Sequence, residues 1–324
     1  MAFKVTIVGL GLVGSSIGLA LRKSSAKIAV VGHDKNAEIA RRAHKSGAVD
    51  KTEWNLIQAC DGSDLVVLST PLTEIRDTLA ALANELMPGC VVTDTGRLKV
   101  PVLQWAQDTL PSTVHFVGGH PIVSMLSSSV PMQDEAEWAQ PSAELLSGAT
   151  YCLTPSAHTA PEALQRVADL TETVGAKPYY LDAAEHDGLI AALESLPLLS
   201  ALTLQATVSS APAQREILRL SGLEFAAATH VLGTDTQELA DLLIHNADNT
   251  IRWLDTMQDK LTTLRQSLAD GDLSILRQFV TATVEAREAW LRSQSTPEEM
   301  DYGDFGVGHM MFGDLLKTRR PRGQ

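Results

Sequence analysis

The sequence predicts an α/β protein, a doubly wound parallel sheet followed by an all-helical second domain. Three observations lead there. In the first half, short β-branched runs that close on Gly, Pro, Asp or Thr alternate with amphipathic segments. A glycine-rich turn follows the first of those runs directly. After Asp182 the strand signal stops, and apolar residues recur at helical spacing to Ser293.

Strands are expected at "KVTIVGL" from Lys4, "IAVVGHD" from Ile28, "LVVLSTP" from Leu65, "CVVTDTG" from Cys90, "VHFVGGHP" from Val114 and "ATYCLTP" from Ala149. A helix, "EALQRVADLTETVGA", and a last strand, "KPYYLD", then finish the sheet domain near Asp182. The expected domains are 1–182, the sheet; 183–295, the helices, broken at Pro197, Pro212 and a few Gly or Asp turns; and 296–324, a tail. That tail is Gly-rich and aperiodic. It reads either as a loose surface arm or as an arm that buries Met310, Met311 and Phe312 against a partner subunit.

Composition narrows the partners. A formal charge of −13 repels phosphate backbones and anionic membranes, and an aromatic content of 5% leaves little for base stacking. Cys60, Cys90 and Cys152 are odd in number and sit in apolar stretches, which fits reduced core thiols in a cytoplasmic protein. No cationic leader precedes the first strand. No apolar run is read as approaching the roughly 18 residues of a membrane span, and no His, Cys and carboxylate spacing suggests a metal site.

The turn after the first strand, "VGLGLVGSSIGLAL", sets Gly9, Gly11 and Gly14 in G-x-G-x-x-G spacing at the opening of a helix. Gly9 suits the tight turn, Gly11 admits a pyrophosphate to the backbone, and Gly14 lets the helix pack close to its strand. The pyrophosphate then lies at the positive end of the helix. Asp34 closes the second strand, where its carboxylate would accept hydrogen bonds from ribose hydroxyls and repel a 2′-phosphate. The expected cofactor is therefore NAD rather than NADP, although His33 and Lys35 flank Asp34 and could soften that choice. The sheet is thus of Rossmann type. Its cofactor-binding set is Gly9, Gly11, Leu12, Val13, Gly14 and Asp34, with Ser69, Thr70 and Pro71 at the end of "LVVLSTP".

From residue 3 to about residue 260 the order of segments resembles the prephenate and arogenate dehydrogenase family. The resemblance rests on the glycine fingerprint, "LVVLSTPL", "VTDTGRLK", "GGHP" and "EHDGLIAALESLP". It implies that His120 is the catalytic histidine, accepting the ring hydroxyl proton as hydride leaves that carbon, with loss of CO₂ following. A neutral imidazole is the natural acceptor at pH 7. It also implies a homodimer through the helical domain, whose apolar faces exceed what one domain buries, and a small anionic substrate.

The substrate side departs from the family pattern. After "GGHP" stand Ile122, Val123, Ser124 and Met125; Arg97 replaces the serine of D-x-G-S-x-K; Ser195 and Leu198 stand where histidines are expected; and His230 falls at a substrate-clamping arginine. Arg97, Ser195 and His230 are the substrate-binding candidates. Arg97 would supply the missing positive charge, or else face solvent or pair with Asp94. His186 and Asp187 read as orienting their helix, Lys99 as anchoring a loop near the cofactor, Arg215 and Arg219 as a solvated face, and His245 and Asn246 as core or interface. Two other functions compete: oxidation of a different small hydroxy acid, and a dinucleotide-binding regulator without turnover.

Overall fold

The computed structural model describes residues 3–24, 26–123, 140–233 and 235–295. Ser124 and Met125, and the tail residues Met310, Met311 and Phe312, lie outside the described residues. The chain divides after Thr250 into two compact units.

The first unit is built on one eight-stranded sheet in the order β3-β2-β1-β4-β5-β6-β7-β8. The strands are β1 (Phe3–Val8), β2 (Ile28–His33), β3 (Lys51–Thr52), β4 (Leu65–Leu68), β5 (Val91–Asp94), β6 (His115–Ile122), β7 (Thr150–Thr154) and β8 (Lys177–Tyr180). The helices between them are α1 (Leu12–Lys23), α2 (Ala37–Lys45), α3 (Leu56–Cys60), α4 (Leu72–Leu82), α5 (Val100–Thr109) and α6 (Pro161–Thr173). Strands β4 and β5 are buried at every position, as β-branched strands covered on both faces must be. Cys60, Cys90 and Cys152 are buried and unbridged.

The sheet is parallel from β3 through β6, as expected, and one pair departs from that pattern. β6 and β7 run antiparallel, with His120 opposite Cys152 and Ile122 opposite Thr150, while β7 and β8 are parallel to each other. The chain leaving β6 re-enters the sheet at the same end, so no crossover helix is needed there. The two-residue β3 was too short to show as a periodic run.

Helices α7 (Ala183–Ile190), a π-helical segment (Ala191–Ser195) and α8 (Leu196–Ser209) follow without a break, then α9 (Gln214–Arg219), α10 (Leu223–Thr229) and α11 (Thr236–Ile244). α12 (Ala247–Ala269) crosses the division and α13 (Leu273–Ser295) lies wholly in the second unit. These two helices leave Leu261, Leu268, Ile275, Val280, Val284 and Trp290 exposed. The helices of residues 183–250 share the first unit with the sheet. One expectation is overturned here: Ala183–Ser209 is a 27-residue helical run with an 18-residue window of mean hydropathy 1.5, long and apolar enough to cross a membrane by length and composition. Pro197 and the acidic residues near its start concealed the run in the sequence; the π-helical turn just before Pro197 lets the helix continue through it. Only 28% of that window is buried.

Candidate active site

The strand order reverses at β1, whose neighbours β2 and β4 lead to opposite halves of the sheet. Ligands of open α/β sheets bind beyond the strand ends at such a point. There, Gly9, Gly11, Asp34, Ser69, Thr70 and Pro71 line a groove of about 660 Å³.

Each glycine has its own reason. Gly9 has φ +90°, and a Cβ on it would lie 2.2 Å from the Ser69 carbonyl oxygen. A Cβ on Gly14 would lie 2.0 Å from the Gly9 oxygen, so α1 can seat on its strand only with glycine there. A Cβ on Gly11 would meet nothing within 4 Å, which leaves open space above the start of α1. That helix has no side-chain cap and no acidic residue in its first turn, so its N–H groups and dipole are free for an anion. Asp34 Oδ2 accepts from the Leu10 N–H and Oδ1 from the Asn36 N–H, both at 2.8 Å, which fixes the carboxylate at the groove. Lys35 is drawn to Glu74 on α4, and this hydrogen bond raises its pKa. The basic neighbour that could have welcomed a 2′-phosphate is therefore engaged elsewhere. These residues fit a dinucleotide.

Gly11, Ser69, Thr70 and Pro71 also border a second cleft of about 320 Å³, whose far wall holds Leu12, Val13, Arg97, His120 and Glu238. Its floor comes from the loop between β5 and α5. Asp94 Oδ1 accepts from the Gly119 N–H at 3.0 Å and Oδ2 from the Gly96 N–H at 2.8 Å; Oδ2 is also paired with Lys99 Nζ, which donates to the Gly119 carbonyl at 2.6 Å. Both side chains are fully buried. Burial pushes Asp94 up and Lys99 down, and their ion pair opposes both shifts. The result is a clamp on both sides of the Gly119 peptide, one residue before His120. Lys99 anchors β6 itself.

His120 is 5% exposed. Its Nδ1 lies 3.0 Å from His186 Nε2, and its Nε2 lies 3.7 Å from Glu194 Oε1. Burial holds its pKa well below the usual histidine value, and the charges of His186, Lys99 and Arg97 act in the same direction. The ring is therefore neutral at pH 7. Asp187, next to His186, accepts the N–H groups of Lys99 at 2.7 Å and Val100 at 2.9 Å. It caps α5, not its own helix, since α5 has no side-chain cap of its own. Asn246 Nδ2 donates to the Asp187 carbonyl at 2.7 Å, and His245 stacks edge-on against Trp105 at 5.5 Å.

Arg97 pairs with Glu194 rather than Asp94, Nε to Oε2 at 2.5 Å, while Asp94 is taken by Lys99. Glu194 belongs to the π-helical segment, where the wider turn re-aims side chains. Of the other substrate candidates, Ser195 is fully buried, its hydroxyl has no hydrogen-bond partner among the described residues, and it does not line the cleft. His230 caps the end of α10, is exposed, and lies outside the cleft lining. Leu198 is buried in the core. Sequence reasoning missed Glu194 and Glu238. Glu194 stood in the quoted "EHDGLIAALESLP" directly before Ser195, and the available signal was a carboxylate that could balance Arg97. Glu238 reads as an ordinary first-turn carboxylate after Asp235; burial raises its pKa.

Comparison with known proteins bears on the family and the fold. Residues 17–180 match the model of the prephenate dehydrogenase nucleotide-binding domain, and residues 182–282 match the prephenate dehydrogenase dimerization domain. A cyclohexadienyl dehydrogenase of Zymomonas mobilis is 29% identical over 88% of this chain and 95% of its own length. A prephenate dehydrogenase of Bacillus subtilis is 27% identical over 86% of this chain and 74% of its own. Among solved structures, a prephenate dehydrogenase from A. aeolicus in complex with hydroxyphenyl propionate and NAD+ superposes with a TM-score of 0.77 at 24% identity, over 89% of this chain and 98% of that one. With a fold, a nucleotide groove and two consecutive domain matches in agreement, the chain belongs to the prephenate dehydrogenase family.

Proposed function

We propose that the chain is an NAD-dependent dehydrogenase that oxidatively decarboxylates a cyclohexadienyl acid of the prephenate or arogenate kind. When bound, the nicotinamide supplies the hydride acceptor. The chain's own residues do the rest. The first turn of α1 and Gly11 hold the pyrophosphate, Asp34 the ribose hydroxyls, and Ser69 to Pro71 the wall between groove and cleft. His120 accepts the ring hydroxyl proton at Nε2, and Arg97 attracts a substrate carboxylate, sharing its guanidinium with Glu194. Ser195 and His230 have no place in this reading, because neither borders the cleft.

The observation that carries the proposal is the position of His120: a neutral, buried ring at the wall of a cleft that is continuous with the dinucleotide groove. The test is NADH formation by the purified protein with prephenate and with arogenate at pH 7.5, beside His120→Asn. Turnover abolished by that substitution is the expected outcome. Tight NAD binding with no turnover on either acid points instead to another hydroxy acid or to a regulator.

The domain reading is a nucleotide-binding part to residue 182 and a helical part from 183 to 295, the latter forming a homodimer. Support comes from the dimerization-domain match over residues 182–282 and from exposed Leu189, Leu193, Leu202 and Leu204 on the long helical run. A cytoplasmic location completes it. Light scattering at micromolar concentration checks the dimer, and a monomer refutes it.

A further inference from the structure

Neutral histidine carries one ring proton, on Nδ1 or on Nε2, and only the bare nitrogen can accept a substrate proton. In water the Nε2–H form predominates, which would make His120 a donor where a base is needed. Its neighbours decide otherwise.

The polarity of the contact starts at Asp187. Both its oxygens accept backbone N–H groups at the start of α5, so the carboxylate faces donors on this side. Oδ1 also lies 2.8 Å from His186 Nδ1. Since a carboxylate only accepts, His186 must donate from Nδ1, and its neutral ring then leaves Nε2 bare. That bare nitrogen faces His120 Nδ1 at 3.0 Å, so His120 must donate there. Its own Nε2 is left with a lone pair, on the side of Glu194. Asp187 and His186 are 2% and 1% exposed, so no water competes for these bonds.

We infer that Asp187 and His186 are positioning residues that set His120 in the Nδ1–H tautomer and share the positive charge it acquires when its Nε2 takes a proton. The inference rests on the reading of His120 as the proton acceptor. The proton balance is simple. The substrate hydroxyl gives its proton to His120 Nε2; the Nδ1 proton, already bonded to His186 Nε2, can cross to it; His120 is again neutral, and His186 is an imidazolium against the Asp187 carboxylate. The other groups facing His120 do not supply this charge. Lys99 is neutralised by Asp94, Arg97 by Glu194, and Cys152, opposite on β7, is a thiol that burial pushes up to about 11. Glu238 lines the same cleft, and burial raises its pKa.

The tautomer can be read without substrate or cofactor. In protein labelled with ¹⁵N-histidine at pH 7.5, long-range ¹H–¹⁵N spectra should show His120 protonated at Nδ1 and bare at Nε2, with His120→Asn identifying the signals. His186→Phe keeps the ring shape and removes the acceptor, so His120 should revert to Nε2–H and kcat/KM fall about 100-fold with KM little changed. His186→Gln, whose amide oxygen can still accept from Nδ1, should restore kcat/KM to within about 10-fold. An Nε2–H signal in the unmodified protein overturns the inference, and so does equal activity of the Phe and Gln variants. If the Phe variant fails to fold, the native spectrum and the Gln variant still decide. Because the spectrum needs no turnover, an enzyme inactive on both acids would refute the proposed reaction while leaving the tautomer measurement intact.

Discussion

The two halves of the cleft are made of different materials. The cofactor half uses backbone: the Gly9 turn, the first N–H groups of α1 and the close seat of Gly14. The substrate half uses side chains from distant stretches, with Arg97 from the β5–α5 loop, His120 from β6, Glu194 from the π-helical segment and Glu238 from α11. A backbone site of this kind tolerates no side chain at Gly9 or Gly14. A side-chain site can exchange one set of groups for another, as long as the charges still balance, and here a buried-edge Arg–Glu pair occupies the position where the family pattern led one to expect uncharged serine.

The largest effect is expected from His120→Asn, which removes the acceptor and should lower kcat/KM by about 10²–10⁴-fold while leaving NAD affinity by calorimetry unchanged. A parallel loss of NAD binding would mean that the two halves are not separable. Gly14→Ala places a methyl group against the Gly9 carbonyl; a loss of about 1–3 kcal/mol in denaturant unfolding is expected, with weakened NAD binding.

Arg97→Ala should raise KM for an anionic acid about 10–100-fold with a smaller change in kcat. It also has a pH signature. Arg97 helps to hold the His120 pKa down, and its loss frees the Glu194 carboxylate 3.7 Å from Nε2. Both changes raise the His120 pKa, so the acidic limb of kcat/KM should move to higher pH. An unmoved limb would show that burial alone sets that pKa. Asp34→Ser should cost about 10-fold in NAD preference over NADP, measured as a ratio of kcat/KM values.

The smallest effect concerns stability. His120 has a folded pKa below its unfolded value near 6.5, so the unfolded chain binds the extra proton. Its contribution is fully present above that unfolded value and declines as pH falls through it. Between pH 7.5 and 5.5, denaturant unfolding should therefore lose less free energy in His120→Asn than in the unmodified protein.

How far the sequence could be read follows the same division. The strands, the fingerprint and Asp34 were legible because each is a local pattern, a short β-branched apolar run or a fixed glycine spacing, whose reason lies within a few residues of chain. His120 was legible as a strand-end residue, but its partners were not. Asp187 was read as orienting its own helix and instead caps α5, 88 residues away in sequence from Lys99. The Arg97 partner was sought at nearby Asp94 and found at Glu194, 97 residues on, because Lys99 had already claimed Asp94. The antiparallel return of β7 was also hidden, since strand sequence carries no mark of direction.

A Rossmann-type sheet with helices after it and a dinucleotide groove at the end of β1 could be read from local pattern, since local sterics and apolar periodicity act within a few residues. Which charges pair, which helix Asp187 caps and which nitrogen of His120 is left bare came from the folded arrangement. Those depend on distances between segments far apart in the chain, and buried polar groups accept whichever partner the fold brings within about 3 Å.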